Sequence, residues 1–270
     1  MTWKPLGLAA GLLGAGMLAY GALVESRRLV LERHTLRLAG WPAGLAGFRI
    51  ALLGDFHLRD RHSVDLGRRA CELAVKLKPD AVAIVGDLVG YWKARSPLMI
   101  GEALEPLAAL RGRVVAVPGN HDYWGGLPEF LLPVFDEFGI RLLRNEVWRS
   151  GGIAWVGIDS AKSGQADPYA PMLELEGDEP AIVLWHEPDA VRHLPLRAAL
   201  MLSGHSHGGQ FRFPGGYTPM HTSLGRRYVR GFYPHAPTPL YVTRGLGTTG
   251  PPSRFLCPPE VALLTLATAT

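Results

Sequence analysis

Apolar residues along this chain gather in short unbroken runs, at residues 48–53, 81–85, 114–117, 153–158, 181–185 and 199–202. Runs of that length without polar alternation suit strands buried on both faces. Between the first two runs, Leu66, Ala70, Leu73, Ala74 and Leu77 recur at helical spacing over residues 65–78, and Pro79 stops the pattern. That is an amphipathic crossover helix. Residues 101–110 and 129–138 predict two further helices, the second kinked or shifted in its start by Pro133. After Gly208 the chain turns to Gly, Pro and aromatics, with strands expected at residues 240–244 and 261–266 that complete a second sheet layer. The expectation is an α/β fold with one catalytic domain over residues 45–270 and a connection over residues 29–44.

Residues 5–24 carry no charge, and about twenty apolar residues are what a helix needs to cross the hydrocarbon. Lys4 precedes the run, whereas Arg27, Arg28, Arg33 and Arg37 follow it. The bias places the carboxyl side in the cytoplasm. Residues 1–28 are therefore expected to be a single-pass anchor in the cytoplasmic (inner) membrane, with the catalytic domain facing the cytoplasm. The run exceeds the apolar core of a cleaved signal peptide and only Lys4 lies ahead of it, which argues against processing. Gly7 and Gly11 form one small-xxx-small pair, a pattern that arises easily in a stretch so rich in Gly and Ala.

Composition narrows the picture little further. With 47% hydrophobic and 19% charged residues, 270 residues make ordinary globular material. The net charge of +4 is spread over many arginines, and no basic stripe interleaved with aromatics marks a strand-binding groove, so nucleic acid is not expected as a partner. Cys71 and Cys257 form no spaced framework, and Cys71 falls on the apolar side of the first helix.

Polar motifs follow the apolar runs directly: GDFH at residues 54–57, GD at 86–87, GNHD at 119–122, His186 in LWHEPD, and GHSH at 204–207. Open α/β sheets bind ligands at such strand ends. Asp55, His57, Asp87, Asn120, His186, His205 and His207 supply carboxylate, amide and imidazole donors sufficient for two adjacent divalent ions, one carboxylate being able to bridge them. Hydrolysis of an anionic phosphoester is the chemistry that such a pair serves. Mn is the leading expectation, with Fe, Zn, Co and Mg able to use the same donors.

The order D-x-H, GD, GNHD, H, GHSH resembles the calcineurin-like metallophosphoesterase superfamily from about Phe48 onward. HEPD at residues 186–189, GHSHGGQ at 204–210 and RFLCPPEVALLTL at 254–266 resemble its bacterial YkuE/YaeI-type subgroup, itself similar to membrane-associated hydrolases of UDP-2,3-diacylglucosamine. The resemblance implies a four-layer α-β-β-α sandwich of two packed mixed sheets. It implies that Asp55, His57 and His207 bind one metal, that Asn120, His186 and His205 bind the other, and that Asp87 bridges, with a shared hydroxide attacking phosphorus. It also implies that His121 protonates the departing oxygen, and Asp122 is the neighbour expected to orient its ring. The substrate class implied is a phosphodiester or pyrophosphate that is lipid-linked or a nucleotide, with a general phosphodiesterase or phosphatase on soluble substrates as the alternative and a metal-binding scaffold without turnover as the reading that the intact ligand set and His121 argue against.

Aromatic pairs Tyr91–Trp92 and Tyr123–Trp124 either wall the site or pack its loops. Arg226, Arg227 and Arg230 form a solvated basic face or a second phosphate clamp. Glu187 is expected to orient a loop, and His34, His62, His193, His221 and His235 lie outside any ligand motif.

Overall fold

A computed structural model describes residues 4–195 and 197–269. Six strands make each of two sheets. The first runs β1 (Val30–Leu38), β12 (Glu260–Thr268), β2 (Arg49–Leu53), β3 (Ala81–Val85), β4 (Val114–Val117) and β5 (Ile140–Leu142) across its width. From β2 to β5 the strands are parallel, while β12 lies antiparallel to β2 and pairs in parallel with β1. The second sheet runs β10 (Gly231–Tyr233), β11 (Leu240–Val242), β9 (Leu200–Ser203), β8 (Ala181–Leu184), β7 (Ile153–Gly157) and β6 (Glu146–Ser150), with antiparallel pairs only at its two edges.

The period of two along each strand divides the core. On β2, Ile50 and Leu52 point between the sheets with Trp155, Leu184 and Leu202, whereas Ala51 and Leu53 point outward to the helices. Those helices are α2 (Arg61–Lys76), α3 (Ser96–Leu104) and α4 (Leu132–Phe138). The outer face of the second sheet is covered by the short α5 (Ala170–Leu173), a 3-10 turn at Pro188–His193 and the surrounding loops. Two packed mixed sheets flanked by helices are thus present, the second helical layer being slight.

Several boundaries depart from the sequence expectations, each for a local reason. The first helix starts at Arg61 because Asp60 caps it reciprocally with Ser63: the Ser63 N–H donates to Asp60 Oδ1 at 2.8 Å, and the Asp60 N–H reaches Ser63 Oγ at 3.0 Å. The second begins at Ser96, with Pro97 in its first turn, and Pro106 tightens its tail into the 3-10 helix Glu105–Leu110. Pro133 moves the start of the third to Leu132. The expected connection over residues 29–44 is corrected most: it holds β1, whose charged outer positions hid a strand paired to β12 over its full nine residues.

The amino-terminal segment is helical, as α1 (Lys4–Leu23). Gly and Ala make up ten of its twenty residues, and among the described residues no helix is long and apolar enough to cross a membrane. The expected spanning anchor finds no support in this helix, and residues 1–3 lie outside the described residues. The last turn of α1 instead packs on the body, where Ser253 Oγ donates to the Leu18 carbonyl at 3.1 Å.

Replacing Asp60 with Ala should lower the unfolding free energy by about 1 kcal/mol through loss of the cap, read as a reduced urea midpoint with an unchanged slope.

Candidate metal centre

Strand ends from both sheets deliver the polar motifs to one place. Asp55 and His57 follow β2, Asp87 follows β3 and Asn120 follows β4, all from the first sheet; His186 follows β8, and His205 and His207 follow β9, from the second. All seven are buried. The turns that carry them interlock through the main chain, with the Asp55 N–H donating to the Gly86 carbonyl at 2.9 Å and the His57 N–H to the Asp87 carbonyl at 3.0 Å.

The local backbone is unusual. Asp55, His57, Asp87, His205 and His207 hold φ between 47° and 68°, a left-handed region that costs a non-glycine residue on the order of 1–2 kcal/mol. Five of the seven candidate ligands therefore sit in strained turns, which aim side chains back across the strand ends. Gly86, at φ 81°, has no room for a side chain: a Cβ there would lie 2.5 Å from the Gly119 nitrogen and 2.7 Å from His186 Nδ1.

Asp87 Oδ2 lies 3.3 Å from His57 Nε2 and 3.3 Å from His186 Nε2, one ring from each sheet. His57 Nε2 is 3.0 Å from His207 Nε2, which is 3.6 Å from Asp55 Oδ1. On the other flank His205 Nδ1 is 3.2 Å from His186 Nε2. Three groups of donor atoms able to hold an ion result: Asp55, His57, His207; His57, Asp87, His121; and Asp87, His186, His205. Asn120 completes the picture, because its Oδ1, the atom of the amide that can ligate a metal, is buried without a hydrogen-bond partner. A buried amide oxygen left bare in this way fits a ligand to a cation rather than a member of a finished hydrogen-bond network.

Backbone carbonyls fix the imidazoles. His186 Nδ1 donates to the Val85 carbonyl at 2.6 Å, His205 Nε2 to the Ser223 carbonyl at 2.6 Å, and His121 Nδ1 to the Gly90 carbonyl at 2.8 Å. Each bond commits one ring nitrogen and leaves the lone pair of the other facing the cluster, the arrangement that metal-ligating histidines use. Burial pushes the Asp55 carboxyl up to about 7, and burial together with the neighbouring His186 lowers His205 to about 3. Burial would also raise Asp87, but the His186 imidazole beside it holds its carboxyl well below the usual range.

Asp122 does not touch the His121 ring. Its carboxylate accepts the N–H groups of Gly119, Asp87, Leu88 and Val89 at 2.8 to 3.3 Å, lashing the GD and GNHD turns together. The expected orienting role passes to the Gly90 carbonyl. Glu187 does hold a loop: it accepts from Ser160 Oγ at 2.6 Å and the Ala161 N–H at 2.9 Å. Of the aromatic pairs, Trp92 packs the loops, donating from Nε1 to the Asp122 carbonyl at 2.7 Å, whereas Trp124 stacks on His121 with ring centroids 3.6 Å apart. The main-chain N–H groups of Arg226 and Arg227 bind Asp189, and the Arg227 guanidinium lies over Tyr228. Cys71 and Cys257 are free and buried.

Three features escaped the sequence reading. Lys162 lies 5.9 Å over the Trp124 ring, Arg59 is fixed by Thr248 through a 2.6 Å bond, and Arg254 is buried behind His207. No local pattern announces them, since each acts on residues distant in sequence.

The pattern of the calcineurin-like phosphoesterases matches residues 48–209. The uncharacterized metallophosphoesterase YkuE of Bacillus subtilis is 31% identical over 273 residues, covering 96% of this chain and 93% of that one. An uncharacterized metallophosphoesterase of Helicobacter pylori is 34% identical over 228 residues, which are 81% of this chain but 59% of its own. Phosphodiesterase YaeI of Escherichia coli is 32% identical, with 87% of each chain covered.

A divalent ion entering this cluster must displace the proton that burial places on Asp55, whose pKa stands near 7 in the metal-free chain. The rise in melting temperature on adding Mn should therefore be larger at pH 8 than at pH 5.5, where the proton competes; equal shifts at both would show that no proton on Asp55 competes with the ion.

Proposed function

Since the chain belongs to the calcineurin-like phosphoesterase family, we propose that Asp55, His57 and His207 hold one divalent ion and Asn120, His186 and His205 a second, with Asp87 between them. The chain is a phosphoester hydrolase. The observation that carries the assignment of ligands is the bare Asn120 amide beside the two carboxylate–imidazole groups. Bound there, divalent ions supply Lewis-acid activation of water and neutralise the oxygens of the phosphoryl group. Mn is the ion we propose.

The residues around the ions orient and protonate. His121 presents its free nitrogen toward His57 and Asp87, and the stacked Trp124 shields one face of the ring. Burial lowers its pKa to about 4, so the ring starts neutral at pH 7. The negative charge of an incoming phosphoester favours the protonated ring, and the proton gained at Nε2 passes to the departing oxygen. Asp122 keeps the turns that present Asp87 and His121 in register.

For the substrate we propose a lipid-linked or nucleotide phosphoester, UDP-2,3-diacylglucosamine being the compound to try first. A groove of about 230 Å³ opens beside His57; Ala22 and Leu23 of α1, Leu66, Leu246 and Pro252 give it apolar walls, and Arg27 and Arg59 face it. Apolar surface next to cations suits an amphiphile with an anionic head. α1 exposes Leu12, Leu13 and Leu18 and is free of charge from Pro5 to Val24. We propose that a lipid surface covers it, on the cytoplasmic side, where Arg27, Arg28, Arg33 and Arg37 meet anionic headgroups.

Phosphorus NMR of the Mn-loaded chain should show metal-dependent cleavage of a simple aryl phosphodiester, and faster release of UMP from UDP-2,3-diacylglucosamine in detergent than from its deacylated counterpart. No gain from the acyl chains would remove the lipid-linked substrate and leave the hydrolase. Substituting His121 with Ala should leave Mn binding intact and lower turnover of diesters with alkyl leaving groups by roughly 10²- to 10⁴-fold, with a much smaller loss for p-nitrophenol release. Equal losses for both leaving groups would rule out proton donation.

A further inference from the structure

Arg254 is completely buried, and its strong hydrogen bonds all go to main-chain carbonyls. Nε donates to Gly247 at 3.0 Å, Nη2 to Gly247 at 2.6 Å and Arg244 at 2.8 Å, and Nη1 to Cys257 at 3.1 Å and His207 at 3.4 Å. Two of those carbonyls belong to the turn after β11, and that turn is bonded back to the first ligand motif: the Leu246 N–H donates to the Gly54 carbonyl at 3.1 Å, and the Gly247 N–H to the Asp55 carbonyl at 2.6 Å. A single planar guanidinium thus ties the backbone of His207 to the turn that backs Asp55 and His57. Its fixed fork of donors is what lets it span three loops at once.

The segment that carries Arg254 is in turn seated by the end of α1. The Arg254 N–H donates to the Gly21 carbonyl at 3.3 Å, the Cys257 N–H to Glu25 Oε1 at 2.7 Å, and Ser253 Oγ to the Leu18 carbonyl at 3.1 Å. Glu25, just past the helix, is buried to make its bond. The approach at Gly21 is too close for any side chain, since a Cβ there would stand 2.1 Å from Ser253 Oγ and 2.4 Å from the Arg254 carbonyl.

We propose that Arg254 is a positioning residue for the Asp55, His57 and His207 ligand turns, and that the docked end of α1 sets its place, making the amino-terminal helix part of the support of the centre. The inference rests on the metal reading above. A Lys at this position has three donors at one point and cannot bridge the same carbonyls.

The test is Mn titration of the full chain, with affinity and stoichiometry read by competition against a metal indicator and folding followed by melting. Arg254→Lys should fold and bind Mn about 10- to 100-fold more weakly, as losses of groups that orient ligands do, and saturating Mn should restore much of its turnover. Gly21→Ala should weaken Mn in the same direction, while Gly11→Ala, where a Cβ meets nothing within 4 Å, should not. Mn affinity within twofold of wild type in the Arg254→Lys chain would overturn the positioning role, and so would its failure to fold, which would make Arg254 a residue of the general fold. Gly21→Ala behaving like Gly11→Ala would overturn the part played by α1. A wild-type chain that binds neither Mn nor, in the same titration, Fe, Zn, Co or Mg would remove the metal reading itself.

Discussion

Burying Asp55 and Asp87 among the imidazoles of His57, His186, His205 and His207 costs several kcal/mol per uncompensated charge, and much of the architecture answers to that cost. Without cations the cluster divides its protons unequally: Asp55 is pushed toward the neutral acid, while Asp87 stays ionised against His186. A divalent ion held by these groups would offset that cost, since the donor atoms of Asp55, His57 and His207 and of Asp87, His186 and His205 already converge. The strain of five left-handed residues is borne by the same packing, since sheets pressed together on both sides leave the strand ends little freedom to relax.

The two sheets meet at this cluster in a particular way. Asp87 comes from the first sheet and His186 from the second, and His186 donates back across the seam to the Val85 carbonyl at the end of β3. The centre is thus a joint between layers as well as a place for chemistry. Each sheet also keeps its own ladder and its own outer core, and the two share the apolar layer between them.

How much of this could be read from the sequence depended on whether a residue's role is local. Strands β2, β3, β4, β7, β8 and β9 announced themselves because burial on both faces demands unbroken apolar runs. β1, β6 and β10, with polar positions along them and no strand beyond them or only one neighbour, carry no such mark. The candidate ligands were legible because Gly, Asp and His immediately after a buried strand are costly unless used. Asp122 misled for the same reason: adjacency to His121 suggested a partner, whereas its carboxylate answers four amides up to 35 residues away. Arg254 gave no signal, because a buried guanidinium satisfied by carbonyls is visible only once the loops that supply them are placed.

β12 is the twelfth strand in chain order but the second across its sheet, wedged between β1 and β2. A ribosome making this protein therefore releases β1 long before its partner β12 exists, and the sheet cannot close until residues 260–268 emerge. Contacts of such long sequence separation slow folding. During synthesis β1 is unpaired and β2, paired only with β3, keeps an open edge, both able to pair with another chain. A nascent chain of this kind has reason to depend on chaperones, and clipping its last strand would remove an interior element of the sheet rather than trim a tail.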